Sequence, residues 1–339
     1  MTTTTQTNNS IIFSRSQENS ETPLFFEELQ TTHRKNKKSL YKMALTTNQI
    51  EKATRVLNCT NFLTYEYINN EFIRLKRVNL CRERLCLNCQ LAKSRELIKQ
   101  LFWSVPRLEI SQDETIQFVT LTTKNCRGEE LKETIQKMIK KQVAFFRHYK
   151  IKDFFRSIEI TYNENNGTYH PHLHLIALIN KKSGFPFFEK EKGEEGANRI
   201  KKEWYKWLGI ENEFGYNMAT TYEIKNTKAI FEVCKYCSKV EDLEKQEVLK
   251  TLDREIKSLR LKTPSGQFKT LAQEYKKECS TIKLQELKFL EDAEIQLINL
   301  LYNAKSKKYE IKSIFDQRII IKPKKASWGE TEKGCSCDF

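Results

Sequence analysis

The apolar and polar positions divide the chain into stretches of different texture. Residues 1–45 are rich in Thr, Asn, Ser and Gln and carry the basic run Arg34-Lys35-Asn36-Lys37-Lys38, the texture of a mobile arm. A cysteine-rich stretch then runs into an amphipathic helix over residues 91–102. The β-branched and aromatic run Gln117-Phe118-Val119-Thr120-Leu121-Thr122-Thr123 predicts a buried strand. Leu131, Ile135, Ile139, Val143 and Phe146 recur every three or four residues and predict a helix over 129–149. Strands follow at 155–162 and 169–179, separated by Asn163-Glu164-Asn165-Asn166-Gly167-Thr168, and Asn-Gly between two β-patterned runs signals a hairpin. Beyond it come a helix over 197–208 with Trp204 and Trp207, a strand over 218–224 and a helix over 228–240. Past Glu241 the pattern is charged and helical, with Leu249, Leu252, Ile256 and Leu259 on one face, and no internal repeat is visible.

The order strand, helix, strand, strand, helix, strand, helix predicts an α+β fold with helices against a mainly antiparallel sheet. Composition narrows the class. In 339 residues there are 20 Phe and 13 Tyr, too many aromatics for a wholly disordered chain. No window approaches the roughly 18 apolar residues that span a bilayer, and Met1-Thr-Thr-Thr-Thr-Gln has neither the basic nor the apolar region of a signal peptide. A cytoplasmic protein without a membrane partner is expected. Its ten cysteines then read as metal ligands or buried small residues, not disulfides. With 59 Lys+Arg against 44 Asp+Glu the net charge is +15, which suggests a polyanionic partner, nucleic acid first.

The chemistry concentrates at His170-Pro171-His172-Leu173-His174, which holds three of the five histidines. Alternation along a strand puts the three imidazoles on one face and Leu173, Leu175 and Ala177 on the other, the expected core side. The preceding strand supplies a carboxylate. A hairpin centred between Asn165 and Asn166 sets Glu159 opposite His172, and one turning at Asn166-Gly167 sets it opposite His174. Either register joins Glu159 to the imidazole face, and two His with one carboxylate suit a divalent cation that polarises a phosphate.

His172-Leu173-His174 resembles the signature of the HUH endonucleases, and Tyr169-His170-Pro171-His172-Leu173-His174 resembles that of the plasmid rolling-circle replication initiators, or Rep proteins, of the pC194/pUB110 type. Phe118-Val119-Thr120-Leu121-Thr122 matches the first motif of that family and Phe231-Glu232-Val233-Cys234-Lys235-Tyr236-Cys237-Ser238-Lys239 the third. The segment from Leu259 to Lys269, an Arg followed by a Gly-x-x-Lys turn, also looks like the family, so the resemblance spans about residues 59–275. It implies an HUH-type central antiparallel sheet with flanking helices, preceded by a small zinc-binding segment and followed by a helical C-terminal region. The corresponding division is an arm at 1–45, a cysteine-rich zinc-binding segment and helix at 46–110, a nuclease domain at 111–245 and a charged helical region at 246–339.

The resemblance also implies roles. Tyr236 is the expected nucleophile, giving a 5′-phosphotyrosyl link and a free 3′-OH. Glu232 is the expected general base for a second, terminating cleavage. On a helix Glu232, Tyr236 and Lys239 share one face, and a phenol with a pKa near 10 needs a cation or metal to act at neutral pH; Lys239 is placed to help. His172, His174 and Glu159 would hold Mg²⁺ or Mn²⁺, with His170 as a further ligand or a phosphate contact. Cys81-x4-Cys86-x2-Cys89 resembles the upstream cysteine motif of the family, and with Cys59 it makes a structural Zn²⁺ site. Leu87 stands where the family usually has Pro. Cys234-x2-Cys237 has metal or redox spacing, but on a helix beside Tyr236 it reads as core. The partners implied are plasmid origin DNA, single-stranded or cruciform at the nick, with a host helicase and DNA polymerase; self-association stays open. Three alternatives stand beside this reading: an HUH transposase or relaxase with the same chemistry, a zinc-containing DNA-binding protein without catalysis, and a histidine-triad nucleotide hydrolase. Pro171 and the zinc-like segment argue against the last.

Overall fold

The computed structural model describes residues 24–68, 72–187, 193–210, 219–224, 228–235, 237–289, 295–303, 305–306 and 308–317. In chain order the elements are α1 (Leu24–Thr46), α2 (Ile50–Asn58), β1 (Phe62–Ile68), β2 (Phe72–Val78), α3 (Leu87–Ser104), β3 (Glu114–Thr122), α4 (Leu131–His148), β4 (Phe154–Asn163) and β5 (Thr168–Asn180). There follow α5 (Gly193–Leu208), β6 (Ala219–Glu223), α6 (Lys228–Cys234), α7 (Gln246–Glu255), β7 (Lys262–Ser265), α8 (Gln267–Phe289), β8 (Ile295–Asn303) and β9 (Lys308–Gln317). The fold is α+β with two antiparallel sheets. Among the described residues no helix is long and apolar enough to cross a membrane.

The chain divides into two units, one of Met1–Arg34, Thr54–Cys81 and Cys279–Phe339, the other of residues 35–53 and 82–278. The second holds a five-stranded sheet in the order β6-β3-β5-β4-β7. One face carries Phe118, Phe155 and Ile176, which are buried with Leu101 of α3, Ile230 and Val233 of α6, and Phe268 of α8. The other face carries Leu121, Ile158, Leu173 and Leu175, all buried. It meets α4, where Phe146 packs edge-on against Phe154 at 5.3 Å and Gln142 Oε1 accepts a hydrogen bond from Arg156 at 2.8 Å. Trp204 of α5 closes this side by donating from Nε1 to the carbonyl of Thr122 at 2.7 Å. Both faces therefore carry core, where the alternation assigned it to one. Ile176 continues the histidine row into an apolar patch, so the imidazoles occupy only one end of their face.

Gly266 turns β7 into α8 at φ +56°, and a Cβ there would collide with Asp153 Oδ1, which accepts the N–H of Gln267 at 2.7 Å. Glycine is required on both counts.

The first unit holds the sheet β2-β1-β8-β9, with Leu63, Tyr65, Leu300 and Tyr309 at its apolar centre. The expectation of a helical C-terminal region is corrected here: helix continues only to Phe289, and residues 295–303 and 308–317 form two strands. Tyr309 and Ile311 alternate with Glu310 and Lys312, a period of two that the high charge of the region obscured. The expectation of an arm over 1–45 is corrected as well. Residues 1–23 lie outside the described residues, but α1 begins at Leu24, and Leu40, Met43 and Ala44 are fully buried at helical spacing. Asn36, inside the basic run, is also fully buried. Its Nδ2 donates to the carbonyls of Leu85 at 3.2 Å and Leu243 at 2.7 Å, and its Oδ1 accepts the N–H of Leu87 at 3.0 Å.

Candidate active site and cysteine centre

The loop between β4 and β5 is Glu164-Asn165-Asn166-Gly167, with Gly167 in the left-handed region at φ +67°. This length pairs Asn163 with Thr168 and Tyr162 with Tyr169, and it brings Glu159 opposite His172. The carboxylate nevertheless reaches diagonally, and its Oε2 lies 2.8 Å from Nε2 of His174. From the other side β3 sets Thr120 opposite His174 and Thr122 opposite His172. Thr120 Oγ1 shares a hydrogen bond with His174 Nδ1 at 3.2 Å, so both nitrogens of that ring are engaged. Thr122 Oγ1 donates to the carbonyl of Pro171 at 2.6 Å and pairs with His170 Nε2 at 2.7 Å. The rings of His172 and His174 are parallel with centroids 5.9 Å apart, and His170 tilts against His172 at 4.3 Å.

Burial controls the charge of His170 and His172. His172 is pushed down to about 4, first by burial and then by its two neighbouring imidazoles, so it is neutral at physiological pH. His170 is lowered too, again mainly by burial. The carboxyl of Glu159 is held below its ordinary range by the hydrogen bond from His174 and stays ionised. Neutral imidazoles and an ionised carboxylate are the donor types a divalent cation takes. The donor set thus fits the implied ion in kind. In position, Glu159 and His174 are hydrogen-bonded to one another.

The third motif departs from the expected helix. α6 ends at Cys234, whose carbonyl accepts hydrogen bonds from Ser94 Oγ at 2.5 Å and Lys262 Nζ at 3.0 Å in place of an N–H one turn on. The N–H of Cys237 turns to Gln90 Oε1 at 2.9 Å, and its carbonyl accepts the N–H of Ile160 at 2.8 Å. Lys239 therefore does not share a helical face with Glu232; it follows the helix, where its charge is one of those that depress His172. Tyr236 lies outside the described residues. Glu232 is on α6 and forms an ion pair with Lys235 at 2.7 Å, and the charge of Lys235 helps to hold Glu159 ionised. Cys234 and Cys237 are buried, and burial raises their thiols to about 12 and about 11, which leaves them unreactive core residues.

The four cysteines of the upstream motif come together. Cys59, Cys81, Cys86 and Cys89 are all buried, and their sulfurs lie within 4.8 Å of one another, the one such group of His, Cys, Asp or Glu among the described residues. Zn–S bonds of about 2.3 Å in a tetrahedron put sulfurs roughly 3.8 Å apart, so the group fits zinc. Cys86 is the N-cap of α3 and Cys89 lies in its first turn, while Arg82, at φ +60°, turns the chain after Cys81. Leu87 is the first helical residue, a position proline tolerates because its N–H is normally unmet. Here that N–H is used, donating to Asn36.

Sequence reasoning missed Asn36, Lys235 and the two threonines as parts of these centres. The threonines had a signal: Thr120 and Thr122 alternate along a strand that must pair with the histidine strand. Asn36 had none, because its partners lie far away in the chain.

Three histidines and a carboxylate thus share one face of an antiparallel sheet, in a chain that also gathers four buried thiols. The chain belongs to the replication protein family Rep_1, which it matches over residues 72–310. Its relatives include the proteins named rep of Streptococcus pneumoniae serotype 2, 32% identical over 130 residues (37% of this chain, 41% of that one), and of Lentilactobacillus hilgardii, 33% identical over 135 residues (38% and 42%). The rep protein of Staphylococcus aureus is 26% identical over 192 residues, 55% of this chain and 82% of its own. The matched stretch spans about two fifths of the Streptococcus pneumoniae protein. No solved structure matches the chain.

Proposed function

We propose that this protein initiates plasmid rolling-circle replication by nicking one strand at the double-strand origin. The observation that carries the reading is the strand register that puts Glu159 among His172 and His174 on one face, in a chain of the replication protein family. That membership favours an initiator over the transposase, relaxase, binding-protein and histidine-triad alternatives.

Tyr236 is the nucleophile in this reading. Its phenolic oxygen bonds to the scissile phosphorus as the bond from phosphorus to the 3′ oxygen breaks; the phenol loses its proton and the departing 3′ oxygen gains one. The products are a 5′-phosphotyrosyl link and a 3′-OH that a host polymerase extends behind a host helicase. Lys239 favours the phenolate by its charge. His172, His174 and Glu159 are the residues that would hold Mg²⁺ or Mn²⁺, with His170 beside them, and the bound ion would neutralise charge developing on the phosphate. In the terminating cleavage Glu232 accepts a proton from the water whose oxygen bonds to the scissile phosphorus as the bond to the 3′ oxygen breaks and that oxygen gains a proton, a task that requires its carboxylate to let go of Lys235. Cys59, Cys81, Cys86 and Cys89 hold structural zinc.

The test uses the full chain, Mn²⁺ and single-stranded oligonucleotides tiling the replicon that encodes the protein, resolved on a denaturing gel. Wild type should form a covalent protein–DNA adduct on one origin strand, and Tyr236→Phe should form none. An adduct that survives Tyr236→Phe removes the nucleophile assignment, and no wild-type adduct on any strand removes the initiator reading.

A further inference from the structure

Beside the histidines, the same sheet face continues to an edge that the proposed chemistry does not use. β6 is the outer strand of the five-stranded sheet, paired to β3 with Thr220 opposite Thr120 and Tyr222 opposite Phe118. Thr120 is in turn opposite His174 on β5. One row therefore runs His174, Thr120, Thr220 to the edge, with Tyr222 one step along. Thr220 and Tyr222 are both exposed, Tyr222 to 45%, whereas Phe118 beside it on the inner strand is buried. Tyr222 lies flat on Phe118, with centroids 5.0 Å apart and planes 25° apart, and Phe118 lies 5.7 Å from the ring of His174. The ring is thus backed by a buried aromatic while the residue stays 45% exposed.

The surrounding charge suits a strand of phosphates. Lys239 acts electrostatically on His172, and Lys235, in its ion pair with Glu232, acts on Glu159, so both lie at the histidine end of the row. The phenol of Tyr222 is raised by burial of its hydroxyl end and by the charge of Glu232, which places it next to α6 as well. Cations that follow a backbone together with a rigid, exposed aromatic face are the two parts of a single-strand binding groove, and every base has a π-face to stack.

We propose that Tyr222 is a stacking platform for a nucleobase of single-stranded DNA next to the phosphate that is cut, with Phe118 as the fixed layer beneath it. The proposal rests on the nicking reading for its choice of ligand. It assigns Tyr222 a binding role, outside the bond-making residues.

The test is equilibrium binding of the full chain, by fluorescence anisotropy, to two labelled strands of equal length and charge, a 20-mer of thymidylate and an all-abasic 20-mer. Tyr222→Phe keeps the ring, and Tyr222→Leu keeps apolar cover on Phe118 without a π-face. Wild type and Tyr222→Phe should prefer the thymidylate strand, and Tyr222→Leu should lose about 5- to 100-fold of that preference with its affinity for the abasic strand unchanged. An unchanged preference in Tyr222→Leu overturns the platform, as does an equal loss on both strands, which marks Tyr222 as structural. If Tyr222→Leu binds like wild type but the Tyr236-dependent adduct still forms, only the platform falls. Absence of both binding and adduct in wild type removes the nicking reading with it.

Discussion

The histidine face and the cysteine quartet are both built from metal-ligating residues, yet they are opposites in physical design. The quartet is closed: four buried sulfurs gathered within 4.8 Å, with no polar side chain among the donors. The histidine row is half-buried, and within it Glu159 and Thr120 occupy both nitrogens of His174. A closed four-ligand centre holds its ion as part of the fold, whereas a set with open positions can exchange ligands during a reaction. The lesson is that ligand type alone does not separate the two uses; burial and what the donors bond to in the absence of an ion do.

The largest expected effect tests the closed centre. Cys86→Ser should abolish stoichiometric zinc and lower stability by more than about 3 kcal/mol, because metal binding to such a centre is folding free energy; metal analysis and thermal unfolding read both. Unchanged zinc in Cys86→Ser means other ligands hold it. Asn36→Ala comes next. It strips two carbonyls and the N–H of Leu87 of buried partners and should cost about 2–4 kcal/mol in denaturant unfolding. Leu87→Pro removes that N–H altogether, so in the Asn36→Ala background it should cost less than in wild type. Equal costs would show that the Asn36 clasp is not what the first turn of α3 relies on.

At the open face the expected effects are smaller and depend on pH. Because His172 falls from 6.5 to about 4 in the fold, the unfolded chain takes up a proton first as pH drops. Stability from this residue is full above the ordinary histidine value and is lost as pH falls from about 6.5 to about 4, by on the order of 2–3 kcal/mol. In chelator-treated protein, unfolding measured across that window should show this loss in wild type and lack it in His172→Gln. A wave of the same size in the variant assigns it elsewhere. The smallest effect is Thr120→Val, which removes one hydrogen bond to His174 and should cost about 1 kcal/mol while lowering Mn²⁺ affinity about tenfold. Intact Mn²⁺ affinity would mean that Thr120 does not orient the ring.

Much of the central sheet was legible because its signals are local. Alternation marked β3, β4 and β5, and Asn166-Gly167 marked the turn between the two strands that carry Glu159 and the histidines. Where the reading failed, the deciding partner was distant in sequence. α6 looked helical to residue 240, but Ser94 and Lys262 take the carbonyl of Cys234 and Gln90 takes the N–H of Cys237, so the backbone leaves the helix. The basic run around Asn36 looked solvated because its lysines outnumber its apolar residues, although Leu40, Met43 and Ala44 form a buried stripe. Residues 295–303 and 308–317 looked like more charged helix, and only pairing between β1, β8 and β9 declares them strands.

The sequence by itself determined which side chains can do chemistry here and which face of a strand they share, because the two-residue period of a strand and the cysteine spacing are properties of the chain alone. Tertiary structure decided the rest: that Glu159 sits opposite His172 yet bonds His174, that the helix before Tyr236 stops at Cys234, and that Tyr222 stays exposed at the sheet edge. These depend on hydrogen bonds and burial between residues tens to hundreds of positions apart, which no local pattern encodes.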